Sequence, residues 1–218
     1  MEYFFDLLVA WPSETTEMIS FLKKIFNKKI MEMALEQFGA VSVKAFLLYA
    51  MLGIGLVCVI CFFCYMFKRK VRLSNLLAGI VIAIYGSIML QLTLVCRESG
   101  SRIGIELELF HGLMGPDNDF RWLMFAYVIL NCMLFIPYGF ALSLFSHINE
   151  KKTMMQLVLI LLLSFATSLL IETAQLLTKR GYYEVQDLFV NTVGGILGWM
   201  LFRIIYIVGD KLMGVQEG

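Results

Sequence analysis

The sequence predicts an all-α integral membrane protein, a helical bundle of five transmembrane helices preceded by an interfacial amphipathic helix. Three observations lead there. The 218 residues are 60% hydrophobic and only 16% charged, outside the usual range of a soluble globular domain. Apolar runs long enough to cross a hydrocarbon core of about 30 Å, at about 20 residues each, fall at residues 44–67, 74–96, 122–145, 154–177 and 188–208. Charged or turn-forming residues bound these runs, among them Lys68-Arg69-Lys70, Arg97-Glu98-Ser99-Gly100 and Thr178-Lys179-Arg180-Gly181. Lipid then makes each run helical, because no water is present there to satisfy a bare backbone polar group.

Residues 1–43 carry apolar Phe4, Phe5 and Trp11, a break at Pro12-Ser13, and then Phe21, Leu22, Phe26 and Ile30 interleaved with lysines. They are too charged to cross and read as amphipathic helix in the headgroup zone. Residues 44–90 hold the first span and most of the second, which continues to 96; residues 91–208 hold the polar spans, and 209–218 form a tail. The start, Met1-Glu2-Tyr3, lacks a cationic region and a small-residue cleavage site. No removable signal peptide is therefore expected, and the first span serves as its own signal. Lys68, Arg69, Lys70, Arg72, Lys151, Lys152 and Lys211 fall on one side of the bundle and Arg97, Arg102, Arg121, Lys179 and Arg180 on the other. The first set predicts a cytoplasmic side that includes the C terminus, leaving residues 97–121 and 178–187 outside with the N terminus. In the external stretch 103–114, apolar residues alternate with Gly104, Glu106 and Glu108, and it is expected to lie on or dip into the membrane surface.

Several function classes fall away. Lys and Arg total 18 against 17 Asp and Glu, a net charge of +1, so nucleic acid is not an expected partner. The five cysteines, Cys58, Cys61, Cys64, Cys96 and Cys132, are odd in number and sit in or at the end of apolar runs, which suits neither a disulfide framework nor a zinc site. His111 and His147 fall on opposite predicted sides, so they form no metal pair. Gly194-Gly195-Ile196-Leu197-Gly198 lies inside a span and reads as a packing motif rather than a phosphate cradle. Neither metal nor cofactor is expected.

Polar side chains inside the spans are the informative residues, since an Asp at a helix centre costs about 2.5–3.5 kcal/mol to insert. In the fourth span Ser164, Ser168 and Glu172 follow at four-residue intervals with Gln175 three beyond, which places them on one face. Asp187 and Asn191 share a face at the start of the fifth span, and Asn131 lies in the third, where Pro137 removes a helix hydrogen bond to the Met133 carbonyl and predicts a kink. The short connection 178–186 brings the outer ends of the fourth and fifth spans together. Asn131, Ser168, Glu172, Gln175, Arg180, Asp187 and Asn191, with Arg97, are therefore expected to gather around an outward-opening polar pocket for a ligand. The same groups can instead satisfy one another and glue helices: Asn131 with Gln175, Arg180 with Asp187 or Glu172, Ser168 with a carbonyl.

The order Asn131-x3-Phe135-Ile136-Pro137-Tyr138-Gly139-Phe140, Ser168-x3-Glu172-x2-Gln175, Arg180 and Asp187-Leu188-Phe189-x-Asn191-Thr192-x-Gly194-Gly195 resembles the VanZ-like family, named for a protein linked to teicoplanin resistance. The resemblance covers roughly residues 91–207. Where that family usually has Asn-Leu-Ile-Pro-Phe, this chain has Glu106-Leu107-Glu108-Leu109-Phe110. The resemblance implies a multi-pass protein of the bacterial plasma membrane associated with low-level glycopeptide resistance, by a route that does not remodel the peptidoglycan precursor in the way the companion ligase and dehydrogenase enzymes do, and it implies no settled reaction. Its partners would be membrane lipid and a lipid-linked cell-wall precursor or lipoglycopeptide antibiotic. Three functions fit the residues: binding a lipid-borne head group, intramembrane enzymology on a lipid or isoprenoid phosphate with Glu172 or Asp187 as base, and transport or lipid scrambling.

Overall fold

The computed structural model describes residues 23–24, 27–36, 42–97, 99–100, 102–110, 113, 116 and 118–214. Five of its helices are long and apolar enough to cross a membrane, making this a multi-pass membrane protein. Among the elements described in full, a short helix α1 (Lys28–Glu36) precedes the spans α2 (Val43–Met66) and α3 (Leu73–Leu90), the latter ending in a π-helical turn, Gln91–Val95. Strand β1 (Arg102–Glu106) precedes the third span α4 (Asp119–Ser143) and the one-turn helix α5 (Ser146–Asn149). The fourth span α6 (Thr153–Thr178), strand β2 (Arg180–Glu184) and the fifth span α7 (Val185–Gly214) complete the chain. Of the amphipathic segment expected at the N terminus, α1 is the described helical part. It buries Ile30 against Trp122 and Ala126 of α4 while Lys28, Lys29 and Glu32 stay exposed, and Lys29 pairs with Asp119. His111 and residues 1–22 lie outside the described residues.

Local chemistry sets the element ends. Ser42 caps α2 by accepting from the Ala45 N–H, and Asn118 caps α4 by accepting from the Arg121 N–H. Lys68, at φ 53°, ends α2 in the left-handed conformation, and Lys179, at φ 58°, ends α6 the same way. Pro137 sits inside α4, which stays helical through residues 119–143.

Glycines place α7 at the centre of the bundle. A Cβ on Gly194 would overlap the Cys132 carbonyl, one on Gly198 the Ile136 carbonyl, and one on Gly195 the Ser164 hydroxyl. Only hydrogen fits there, so α7 seats its backbone directly against α4 and α6. Toward the far end the same three helices close over Leu142, Ile148, Ile160 and Trp199. Trp199 Nε1 donates to Gln156 Oε1 at 3.0 Å, and Gln156 Nε2 donates to the carbonyls of Asn149 and Lys151, which fixes the α4–α6 connection.

The stretch after the second span departs from the expected surface-lying segment. Residues 102–106 form β1, which pairs in parallel with β2 in the register Arg102 to Arg180 through Glu106 to Glu184. The alternation of apolar and small or acidic residues there is the period of a strand, and the pairing satisfies backbone groups at the membrane boundary. Gly104 leaves room for the Tyr182 ring lying across it. The exposed Ile105, Leu107 and Leu109 keep an apolar side outward.

Candidate functional site

Helix α6 buries Gln156, Ile160, Ser164, Ser168, Glu172 and Gln175, so its inward face is polar at every position but one. Its outward face is Leu, Phe and Met exposed to acyl chains. A helix patterned this way is the inverse of one from a soluble protein, and its polar face must find partners on neighbouring helices. Glu172 is 1% exposed and Asp187 8% exposed.

The partners come from α4, α7, β2 and the end of the second span. Asn191 Nδ2 donates to Ser168 Oγ at 2.9 Å, and Ser168 Oγ in turn donates to the Asp187 carbonyl at 3.4 Å. The Asn131 side chain is hydrogen-bonded to the Asp187 carboxyl. Glu172 lies close enough to Asp187 and Glu184 to feel both charges, and Arg97 acts on both Glu172 and Asp187. The Glu184 N–H donates to Glu172 Oε2 at 3.0 Å, so β2 roofs the carboxyl group. Among the described residues, Glu172, Glu184 and Asp187 outnumber the Arg97 guanidinium that acts on them.

Gln175 and Arg180 do a different job. The last carbonyls of any helix lack intrahelical donors, and here the π-helical turn leaves those of Thr93, Leu94 and Val95 pointing into the bundle. Gln175 Nε2 donates to Thr93 O at 3.0 Å, and Arg180 Nη1 donates to Leu94 O at 2.8 Å and Val95 O at 3.0 Å. Gly181 lets the β2 backbone lie beside them: a Cβ there would stand 3.0 Å from Arg97 Nη1 and 3.2 Å from Gln175 Oε1.

The structure therefore gathers Arg97, Asn131, Ser168, Glu172, Asp187 and Asn191 into one buried cluster and sets Gln175 and Arg180 at its edge. Two pairings that the helix-gluing alternative offered are replaced. Arg180 binds backbone carbonyls, leaving Arg97 as the cation beside the carboxyls, and Asn131 pairs with Asp187 instead of Gln175. Instead of opening outward, the two carboxyls are covered by β2. Glu184, Gly181 and Thr93 belong to the site and carry no mark in the sequence beyond their nearness to Asp187, Arg180 and Arg97.

Within this cluster the acceptor Asn191 Oδ1, and one turn along α6 from Ser168 the hydroxyl of Ser164, are buried with no partner among the described residues. Native interiors seldom leave such atoms unsatisfied, so each keeps hydrogen-bonding capacity that the described residues do not use. Among the described residues no three His, Cys, Asp or Glu side chains come together to hold a metal ion. What the arrangement can do chemically is accept hydrogen bonds from hydroxyl or ammonium groups at its carboxyls and hold one anionic atom at Arg97.

A family model described as VanZ/LLP1 matches residues 56–206, a stretch that contains every residue of the cluster. No curated protein and no solved structure matches the chain. The family match covers most of the sequence and includes all five spans in whole or in part, and on that basis the chain belongs to the VanZ/LLP1 family.

Proposed function

We propose that this VanZ-like membrane protein binds the polar head group of a lipid, a lipid-linked cell-wall precursor or a lipoglycopeptide at the end of the bundle roofed by the β-pair, and that it thereby contributes to teicoplanin resistance. In this reading it resides in the bacterial plasma membrane with the β-pair outside and the C terminus in the cytoplasm. The observation that supports it is the meeting of Glu172, Asp187 and Arg97, from three separate parts of the chain, among the buried polar side chains of the bundle. Burying such groups is costly, and in membrane spans they mark ligand or substrate pathways more often than simple structural glue. The excess of carboxyls suits the hydroxyl and ammonium groups of sugars and stem peptides better than a bare phosphate. An entering donor would replace the Glu184 N–H at Glu172 Oε2, displacing β2.

Cells expressing the parent, Glu172→Gln and Asp187→Asn at equal membrane levels, verified by immunoblot, separate this reading from glue. Both variants keep shape and hydrogen-bonding capacity but remove charge. They are expected to lose protection against teicoplanin; full protection by both sinks the reading.

The neighbouring carboxyls also favour a second reading, an intramembrane enzyme in which Glu172 or Asp187 moves a proton while Arg97 holds a developing anion. Purified protein incubated with isoprenoid phosphates and membrane lipids tests it. Turnover that disappears in Glu172→Gln supports it, and an unchanged lipid profile removes it.

A further inference from the structure

At the end of the bundle opposite the β-pair, the first two spans do not close on each other. Above the contact where Gly53 meets Ala83 and Gly79 meets Val57, a groove of about 740 Å³ opens between α2, α3 and the α4–α5 corner. Its wall is apolar, formed chiefly by Val57, Ile60, Cys64, Gly79 and Ile82, while Arg69, Lys70 and His147 stand at its mouth. From Gly53 to Cys64 it runs along eleven residue steps of α2, about 16 Å at 1.5 Å per step. That is about half the roughly 30 Å hydrocarbon core, the depth of one leaflet.

Charge at the mouth is unbalanced. Lys68, Arg69 and Lys70 have no carboxylate partner among the described residues, whereas the next cation, Arg72, is paired with Glu150. The backbone holds the cations there. Lys68 in the left-handed conformation turns the chain, and the Arg69 N–H donates to the Cys64 carbonyl at 2.7 Å, which folds Arg69 back over the end of α2. Asn75, on the far wall, faces the α4–α5 corner: its Oδ1 accepts from the Ser146 N–H at 2.8 Å and its Nδ2 lies 3.4 Å from His147 Nδ1. The charge at the mouth that no carboxylate balances among the described residues is cationic.

We propose that this groove is a binding site for an anionic glycerophospholipid, with an acyl chain along α2 and α3 and the phosphate against Arg69 and Lys70. An apolar wall of one-leaflet depth beneath unpaired cations complements a lipid with a negative head group, and basic recesses between transmembrane helices bind such head groups. The site lies at the other end of the molecule from the carboxyl cluster and does not depend on what that cluster binds.

The test uses the full chain purified in detergent and exposed to equal amounts of phosphatidylglycerol and phosphatidylcholine with identical acyl chains, followed by mass spectrometry of the lipid that remains bound. Phosphatidylglycerol is expected to be enriched at least about fivefold. The Arg69→Gln/Lys70→Gln double variant is expected to bring the ratio to parity. Ile60→Trp is expected to reduce total retained lipid with the cations intact. Ile60, Arg69 and Lys70 are all exposed, so these variants leave the helix contacts in place. Parity in the parent overturns the proposal. Retained preference in the double variant does the same, and undiminished binding by Ile60→Trp reduces the site to surface charge alone and overturns the groove. Leu170→Ala, at an exposed position of α6 outside both the groove and the carboxyl cluster, is expected to leave the preference untouched; its loss there would show that the preference does not arise in the groove and defeat this assignment.

Discussion

Helices α2 and α7 both cross the membrane, yet buried residues make up 6% of the most apolar stretch of the first and 39% of that of the second. The more apolar helix is the less buried. In water the opposite ranking holds, because burial there is driven by removing apolar surface from solvent. In lipid that drive between helices vanishes, and association rests on close backbone approach and polar contacts. Helix α7 has both, in Gly194, Gly195 and Gly198 and in Asp187 and Asn191. Helix α2 meets α3 at Gly53 and Val57 and along much of its length presents Leu, Phe, Ile and Met to lipid.

The sharpest way to break this contrast is to place the same residue on both helices. Gly194→Leu forces a side chain into the Cys132 carbonyl and Phe135, and is expected to cost at least the upper end of the ~1–3 kcal/mol typical of overpacking. Loss of the monodisperse folded peak in size-exclusion chromatography reads it out. Next comes Arg180→Ala, which strands the Leu94 and Val95 carbonyls at about 1–3 kcal/mol for each unsatisfied group. A lowered melting temperature in detergent, with faster amide exchange in both strands, is the expected result. Trp199→Phe leaves Gln156 Oε1 without its donor and is expected to cost about 0.6 kcal/mol, the usual worth of an interhelical side-chain bond in membranes. Smallest is Gly55→Leu: a Cβ there meets nothing within 4 Å, so the melting temperature should equal that of the parent. A large drop for Gly55→Leu, or none for Gly194→Leu, would erase the distinction between the two helices.

The bundle was legible because lipid imposes a length rule on apolar runs, so residues 44–67 and 154–177 fall within a residue of α2 and α6. The polar face of α6 was legible for an equally simple reason: Ser164, Ser168 and Glu172 repeat at helical spacing in a setting where polar groups are expensive. The β-pair was not. Each strand has five residues and its partner lies far along the chain, so the alternation around Ile105 reads equally as a surface-lying segment. Arg180 was misassigned because a sequence displays carboxylates but not orphaned carbonyls. Its true partners are backbone atoms exposed by a π-helical turn that nothing in Gln91-Leu92-Thr93-Leu94-Val95 announces.

The parallel pairing of β1 with β2 sets a timetable for biogenesis. When the second span leaves the ribosome, the donors for its terminal carbonyls at Thr93, Leu94 and Val95 are still some eighty residues from being synthesised, in Gln175 and Arg180. The early hairpin of α2 and α3 must therefore wait at the insertion machinery or the membrane boundary, its loose end hydrated, until the fourth span arrives to finish it. A nascent chain halted before residue 180 would hold the helices α2, α3, α4 and α6 with the carbonyls of Leu94 and Val95 still lacking the guanidinium that caps them.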